Sequence, residues 1–375
     1  MIPVCEPLIG QREIELVNQC LASGWVSSAG RFIDAFEDNW AAYCGMAHGV
    51  SVCNGTAALH VAVGLLDLQP GDEVILPTFT IISCAQAITA WGGVPVLVDS
   101  DPVTWQMDID QVAANITART KAIMAVHTYG HPVDMDPLAQ LASRYGLVLI
   151  EDAAEAHGAL YKGRRCGGLG DISVFSFYAN KLITTGEGGM VLCRRTDWAE
   201  KARGLRNLGF GPGRRFHHEQ LGFNYRMTNL QAAMGVAQME RLDQIVKQKR
   251  AIAKAYHQRL EGLDSLRLAV EAPWATNIYW VVGLVLNDPA GPTAEDLAGA
   301  LKRRGVDTRP FFLGMHAQPA FQSMGLFAGQ RYPVADNLAR MGLYLPNGLT
   351  ITEAQIDEVC QAVRAELNHP GRNHD

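Results

Sequence analysis

The chain has 375 residues, of which 48% are apolar and 19% charged. That is enough to build two cores, and it excludes an intrinsically disordered protein. Its formal net charge of −6 gives no basic field to attract nucleic acid or an anionic membrane, and the short runs "GRR" (163–165) and "KRR" (302–304) read as solvated faces.

In chain order, the opening "MIPVCEPLIGQREIE" has no basic start followed by an apolar run, so no signal peptide is expected. Seven short runs rich in Val and Ile then predict strands: "HGVSV" (48–52), "EVILP" (73–77), "VPVLVD" (94–99), "AIMAVHTYG" (122–130), "LVLIED" (147–152), "ISVFSF" (172–177) and "GMVLC" (189–193). Most are apolar throughout, as in strands covered on both faces. Helical patterns such as "AALHVAVGLLDL" and "MDPLAQLASRYG" separate them. The plan is α/β, with a seven-stranded, mainly parallel sheet. A long helical pattern from near Met227 through "LQAAMGVAQMERLDQIVKQKRAIAKAYHQRL" bridges to a second part that mixes strands ("IYWVVGLVL") with helices ("AEDLAGALKRRG", "EAQIDEVCQAVRAEL"). The division expected is a large domain over 1–245 and a smaller C-terminal α+β domain over 246–375, with the tail "NHPGRNHD" frayed. No stretch approaches the length of a membrane span.

The eight cysteines include no C-x-x-C pair, so the spacing of a structural zinc site is missing and no metal is expected. Several lie in apolar runs and read as buried thiols, which fits a reducing cytoplasm.

Ligands in sheets of this kind sit beyond the carboxyl ends of the strands, and four polar elements fall there. In "VCNGTAALHVA", Gly55 permits close backbone approach and Thr56 offers a hydroxyl at the start of a helix, a cradle for a phosphate. The same turn could be a plain N-cap. Asp152 ends the apolar strand of "LVLIEDAAEAHGA" and needs a cationic partner. A protonated pyridine nitrogen would serve, and so would Arg203, Arg206 or a helix N-terminus. In "SFYANKLITTGEGG", Ser176 precedes Lys181 near a strand end, and Gly186, Gly188 and Gly189 follow. Its ordinary reading is an exposed loop lysine. In "GFNYRMTNLQAA", Asn229 could be a helix N-cap and Arg226 half of a structural ion pair. Taken together, an anion-binding turn, a strand-end carboxylate and a lysine with an upstream serine are what pyridoxal 5′-phosphate (PLP) requires. The lysine bonds the cofactor covalently, the carboxylate keeps the ring nitrogen protonated so that the ring draws electrons, and Gly55, Thr56 and Ser176 hold the phosphate.

With "CNGTAAL", "HTYGHPVDMDPL", "EDAAEAHGA", "FSFYANKLITTGEGGM" and "GFNYRMTNLQAA" in one chain, the sequence resembles the DegT/DnrJ/StrS family of PLP-dependent nucleotide-sugar aminotransferases over nearly its whole length. The resemblance implies aminotransferase fold type I. It implies transfer of an amino group, with glutamate as donor, to a nucleotide-linked 4-keto-6-deoxysugar of the kind used in bacterial surface polysaccharide. By position, it makes Lys181 the Schiff-base lysine and general acid/base, and Asp152 the partner of the pyridine nitrogen. Glu155 stands near the ring hydroxyl, where many relatives carry glutamine. Gly55, Thr56 and Ser176 become phosphate ligands, and Asn229 reaches in from the second subunit of a homodimer with shared sites. His218 and His316 are placed at the sugar pocket, and Arg309 at an anionic part of the substrate, although each histidine could equally be a satisfied structural one. One departure is Ile81 in "PTFTIIS", where many relatives have an aromatic residue against the ring. Amination at C3, or on a dTDP- or UDP-linked sugar, stays open. A dehydratase of the same family would lack the lysine, and a non-catalytic sugar-sensing regulator on this fold would lack the lysine or the aspartate; both residues are here.

Overall fold

The computed structural model describes residues 1–210, 216–218 and 220–367. Helices α1 (Gln11–Ser23) and α2 (Arg31–Cys44) precede the first strand. Then follow β1 (His48–Val52), α3 (Gly55–Gly64), β2 (Glu73–Pro77), α4 (Ser83–Ala90), β3 (Val94–Val98), α5 (Ile109–Ala114), β4 (Thr120–Val126), α6 (Met135–Tyr145) and β5 (Val148–Asp152). Two short strands, β6 (Leu160–Tyr161) and β7 (Arg164–Arg165), lead to β8 (Ile172–Ser176), β9 (Gly189–Cys193) and α7 (Thr196–Arg206). All seven apolar runs are strands of one sheet, in the order β1-β9-β8-β5-β4-β2-β3. It is parallel from β8 to β3, and β9 runs antiparallel to both of its neighbours. Every residue of β2, β8 and β9 is buried, which is why these runs carry no polar alternation.

Register decides what meets at the sheet's edge. Asp152 pairs with Val174 of β8, and Ser176 pairs with Gly189 of β9, so the end of β5, the end of β8 and the turn after β1 are neighbours. Gly189 has to be glycine: an added Cβ would lie 2.4 Å from the carbonyl oxygen of Asn54.

The long helical pattern after Met227 is two helices, α8 (Asn229–Met239) and α9 (Leu242–Leu260), not one. The chain breaks at Glu240–Arg241, where Arg241 turns to Glu13 of α1 at 2.6 Å and Glu240 pairs with Arg12. Beyond α9 come β10 (Leu266–Leu268), β11 (Ala275–Thr276), β12 (Val282–Leu286), α10 (Ala294–Arg303), β13 (Arg309–Pro310), α11 (Pro319–Ser323), α12 (Pro333–Met341), β14 (Gly342–Leu345) and α13 (Glu353–Leu367). Strands β10-β12-β14-β13 form a second, antiparallel sheet, and β11 joins β6 and β7 in a third. "IYWVVGLVL" is strand only from Val282: Tyr279 has a positive φ of 50°, and Trp280 leaves the strand path. The change from one large sheet to the other falls inside α9, which runs unbroken across 245–246. The N-terminus crosses back: Ile2 bonds Gly305 and Asp307, and Val4 accepts from Asn347. The tail "NHPGRNHD" lies outside the described residues.

Candidate active site

A pocket of about 470 Å³ opens beyond the ends of β5 and β8, against the first turn of α3. Asn54 caps α3, its Oδ1 accepting from Ala57 N–H at 2.8 Å. Among the described residues the amides of Gly55 and Thr56 have no acceptor, as is usual for the first turn of a helix. Thr56 Oγ1 lies 2.9 Å from Ser83 Oγ, and both hydroxyls line the pocket with Ser176. The backbone of Gly55 passes so close to Ser176 that an added Cβ would stand 2.7 Å from the serine Cβ. His157 fixes that strand end by donating from Nε2 to the Ser176 carbonyl at 2.9 Å. Burial pushes the His157 pKa down to about 3, so the ring stays neutral.

At the opposite wall Asp152 is buried; Oδ1 accepts from Ala154 N–H at 3.1 Å and Oδ2 from the thiol of Cys84 at 3.1 Å. Burial, and then the charge of Asp152, push the Cys84 thiol well up, which keeps it protonated and donating. Lys181 Nζ sits 3.3 Å from Glu155 Oε1 and 3.8 Å from the centroid of the Trp280 ring. Glu155 Oε2 accepts from Tyr129 N–H at 2.8 Å. Burial pushes the Glu155 carboxyl up, against the pull of Lys181 and of that amide. Ile81 lines the pocket and is 42% exposed, so it presents a free aliphatic face to whatever lies within.

The pocket thus unites Gly55, Thr56, Asp152, Glu155, Ser176 and Lys181. Arg309 lines a neighbouring cleft of about 320 Å³, which shares Tyr178, Asn180, Trp280 and Tyr344 with the pocket; its guanidinium is held by Asp307 at 2.7 Å. Three residues are placed elsewhere. Asn229 is buried, its Oδ1 accepting from Phe32 N–H at 3.0 Å and its Nδ2 donating to the Trp25 carbonyl at 2.7 Å. Its side-chain amide is engaged inside its own chain, Nδ2 also donating to the Cys20 sulfur at 3.2 Å, and the helix cap is Thr228. His316 is also buried, with Nδ1 2.8 Å from Thr78 Oγ1 and Nε2 2.9 Å from Asp336 Oδ1. Both its nitrogens are taken, so it ties α12 to the loop after β2 and does not line the pocket. His218 is exposed, bonded through Nδ1 to the Leu208 carbonyl at 2.9 Å, and is likewise off the pocket wall. Arg226 bonds Asn224 at 2.9 Å and forms no ion pair among the described residues.

Sequence reasoning missed Cys84, Tyr129 and Trp280, which contact the site's charged groups. Cys84 lies just after "PTFTIIS", and a thiol there carried no signal without the register that sets α4 against β5. A larger groove of about 830 Å³ runs past Arg203, Arg206 and Arg226, but Arg206 is bound to Glu37 and Lys201 to Asp67. It brings no lysine and strand-end carboxylate together. The buried trio His127, Glu151 and Cys166 is the described group with metal-ligand composition. The donors of two of the three are already used: His127 Nε2 bonds Glu151 at 3.0 Å, His127 Nδ1 accepts from Val133 N–H, and Glu151 takes the amides of Gly167, Leu169 and Gly170.

The residues present fit PLP. One pocket lining offers first-turn amides and three hydroxyls for a phosphate, a buried carboxylate for a ring nitrogen, and an amine. Fold and site together define a fold-type I, PLP-dependent aminotransferase. The chain belongs to the DegT/DnrJ/EryC1/StrS aminotransferase family, whose model matches residues 7–364. It is similar to the GDP-perosamine synthase of Caulobacter vibrioides, 42% identical over 96% of this chain and 97% of that protein. It is similar to the GDP-perosamine synthase of Vibrio cholerae, 38% identical over 98% of this chain and all of that one. Among solved structures, the aminotransferase TlmJ from Streptoalloteichus hindustanus superposes with a TM-score of 0.91 at 33% identity, covering 98% of this chain and 99% of that chain. Among the described residues, no helix is long and apolar enough to cross a membrane.

Proposed function

We propose that this enzyme transfers the amino group of glutamate to C4 of GDP-4-keto-6-deoxymannose, making GDP-perosamine for a bacterial surface polysaccharide such as O-antigen. The observation that carries the reading is the convergence of Lys181, Glu155 and Asp152 in one pocket, in a chain that matches GDP-perosamine synthases end to end. Glutamate at 155 accords with it, since many other relatives carry glutamine there.

Bound PLP supplies an electron sink for the carbon that loses a proton. Asp152 is the carboxylate that would hold the ring nitrogen protonated, with Cys84 and Ala154 N–H fixing its orientation. Gly55, Thr56 and Ser176 would hold the phosphate. Lys181 Nζ takes the proton from Cα of glutamate in the first half-reaction and returns one to the sugar carbon in the second. One amine serves both halves because both transfers fall on the same side of the site. Trp280, Phe312 and Tyr344 line the pocket with aromatic surface. Arg309, which lines the neighbouring cleft, would meet an anionic group of the substrate.

The enzyme works in the cytoplasm as a homodimer with shared sites. The surface for the partner includes the segment around His218 and Asn224, flanked by Phe216 at 75% and Leu221 at 91% exposure. With Asn229 engaged internally, His217, His218, Gln220 and Asn224 are the exposed polar groups among the described residues of that segment that would reach a neighbour. A panel of GDP-, dTDP- and UDP-linked ketosugars with glutamate tests the reading. Turnover is expected with the GDP-linked 4-keto sugar, and preference for a dTDP- or UDP-sugar overturns it.

A further inference from the structure

Trp280 is tied down at three points. Its ring centroid lies 3.8 Å from Lys181 Nζ. Its Nε1 donates at 2.8 Å to the carbonyl of Asn180, the residue just before Lys181. Its own carbonyl accepts from Lys249 Nζ and from Asn347 Nδ2, each at 3.0 Å. Lys249 also donates to the Asn347 carbonyl at 2.8 Å, and Asn347 N–H in turn bonds Val4. Lys249 stands on α9, is buried, and faces no carboxylate within ion-pair distance among the described residues. A buried ammonium without a counter-ion is destabilising, and an apolar side chain of similar length would fill the same space at less cost. What the ammonium does here is to grip two carbonyls, one of them that of Trp280.

The free amine of Lys181 has two favourable neighbours, the Glu155 carboxylate and the face of the indole. The indole's negative π face favours an ammonium over a neutral amine. The bond from Nε1 to Asn180 makes ring and lysine loop one unit, so the contact is kept if the loop shifts. We propose that Trp280 is a catalytic residue that receives the freed amine of Lys181 as an ammonium once it has taken up a proton, and that Lys249 is the positioning residue that holds Trp280 in place for this. The proposal rests on Lys181 being the transaminating lysine and adds a proton-holding surface to that role.

The test uses the apoprotein and trace acetylation with acetic anhydride, which attacks only neutral amines. Labelling of Lys181 is read by peptide mass spectrometry against the exposed Lys302 of the same chain. In Trp280→Leu, labelling at about pH 7 should rise roughly 3- to 30-fold over the unsubstituted protein, and the two should converge only at a pH above the ordinary lysine range of about 10.4. Trp280→Phe, which keeps a π face and loses only the N–H, should show a smaller rise and guards against a misfolded leucine variant. Lys249→Met should raise labelling at neutral pH too, and should add nothing on top of Trp280→Leu. No rise, or a rise of equal size at every pH, which means access alone, overturns the role of Trp280. Additive effects of the two substitutions overturn the positioning role of Lys249. If the protein proved not to be a transaminase, turnover would be missing while the labelling pattern stood, so the two failures are separable.

Discussion

The thiol of Cys84 donates to Oδ2 of Asp152 at 3.1 Å, so the carboxylate that ends β5 is oriented by a side chain from the first turn of α4. The second oxygen is fixed by Ala154 N–H. Asp152→Asn keeps this shape and removes the charge. Each half-reaction, followed separately in single turnover, should slow by about a hundredfold or more. Cys84→Ala leaves the charge and loosens the orientation, and should cost about tenfold or less. A variant Asp152→Asn that transaminates at close to the normal rate would make the aspartate structural.

Lys181 carries the proposed proton transfers. Lys181→Ala should lose turnover by about a thousandfold or more while still taking up PLP through the remaining contacts. Borohydride reduction of the holoenzyme should place the cofactor on the peptide bearing Lys181 and on no other. A labelled peptide without Lys181, or near-normal turnover in the variant, contradicts the assignment.

Asn229 is a structural pin. Its side chain satisfies Phe32 N–H and the Trp25 carbonyl, joining the start of α8 to the α1–α2 turn, where Gly30, at φ +145°, leaves no room for a Cβ beside it. Asn229→Ala should lower the unfolding free energy by about 2 kcal/mol or more, measured in urea, because buried partners are left unsatisfied. Unchanged stability with lost cofactor affinity would restore a phosphate role instead.

Much of this was legible in the sequence. His48–Val52, Glu73–Pro77 and Gly189–Cys193 are strands over the very residues where apolar runs predict them, because strands buried on both faces must be apolar throughout. The carboxylate, lysine and phosphate-end residues were readable because they lie at the ends of such runs. What was not legible depends on partners far away in sequence. Arg241 breaks the long helix to meet Glu13, His316 is consumed by Thr78 and Asp336, and Trp280 leaves an apolar run to face Lys181. Periodicity carries no record of such partners.

Lys249 gives a pH signature. Burial pushes its pKa down from 10.5 to about 8. Between those values the unfolded chain holds a proton that the folded chain has lost, so folding gains stability as pH rises; below about 8 the burial cost is present in full. Lys249→Met removes this titration. The stability of the unsubstituted protein relative to the variant should therefore climb by on the order of 3 kcal/mol as pH goes from about 8 to about 10.5. Urea unfolding of both proteins at several pH values measures it, and a difference that stays flat contradicts it.

The proposed reaction passes nitrogen from glutamate to C4 of a GDP-linked 4-keto-6-deoxysugar by way of the Lys181 site. Holoenzyme incubated with ¹⁵N-glutamate and GDP-4-keto-6-deoxymannose, with the product examined by mass spectrometry and ¹⁵N-edited NMR, tests it most directly. The predicted result is a GDP-sugar carrying the label at C4, with 2-oxoglutarate formed in equal amount and neither product formed by Lys181→Ala. An unlabelled sugar, or label at C3, would contradict it.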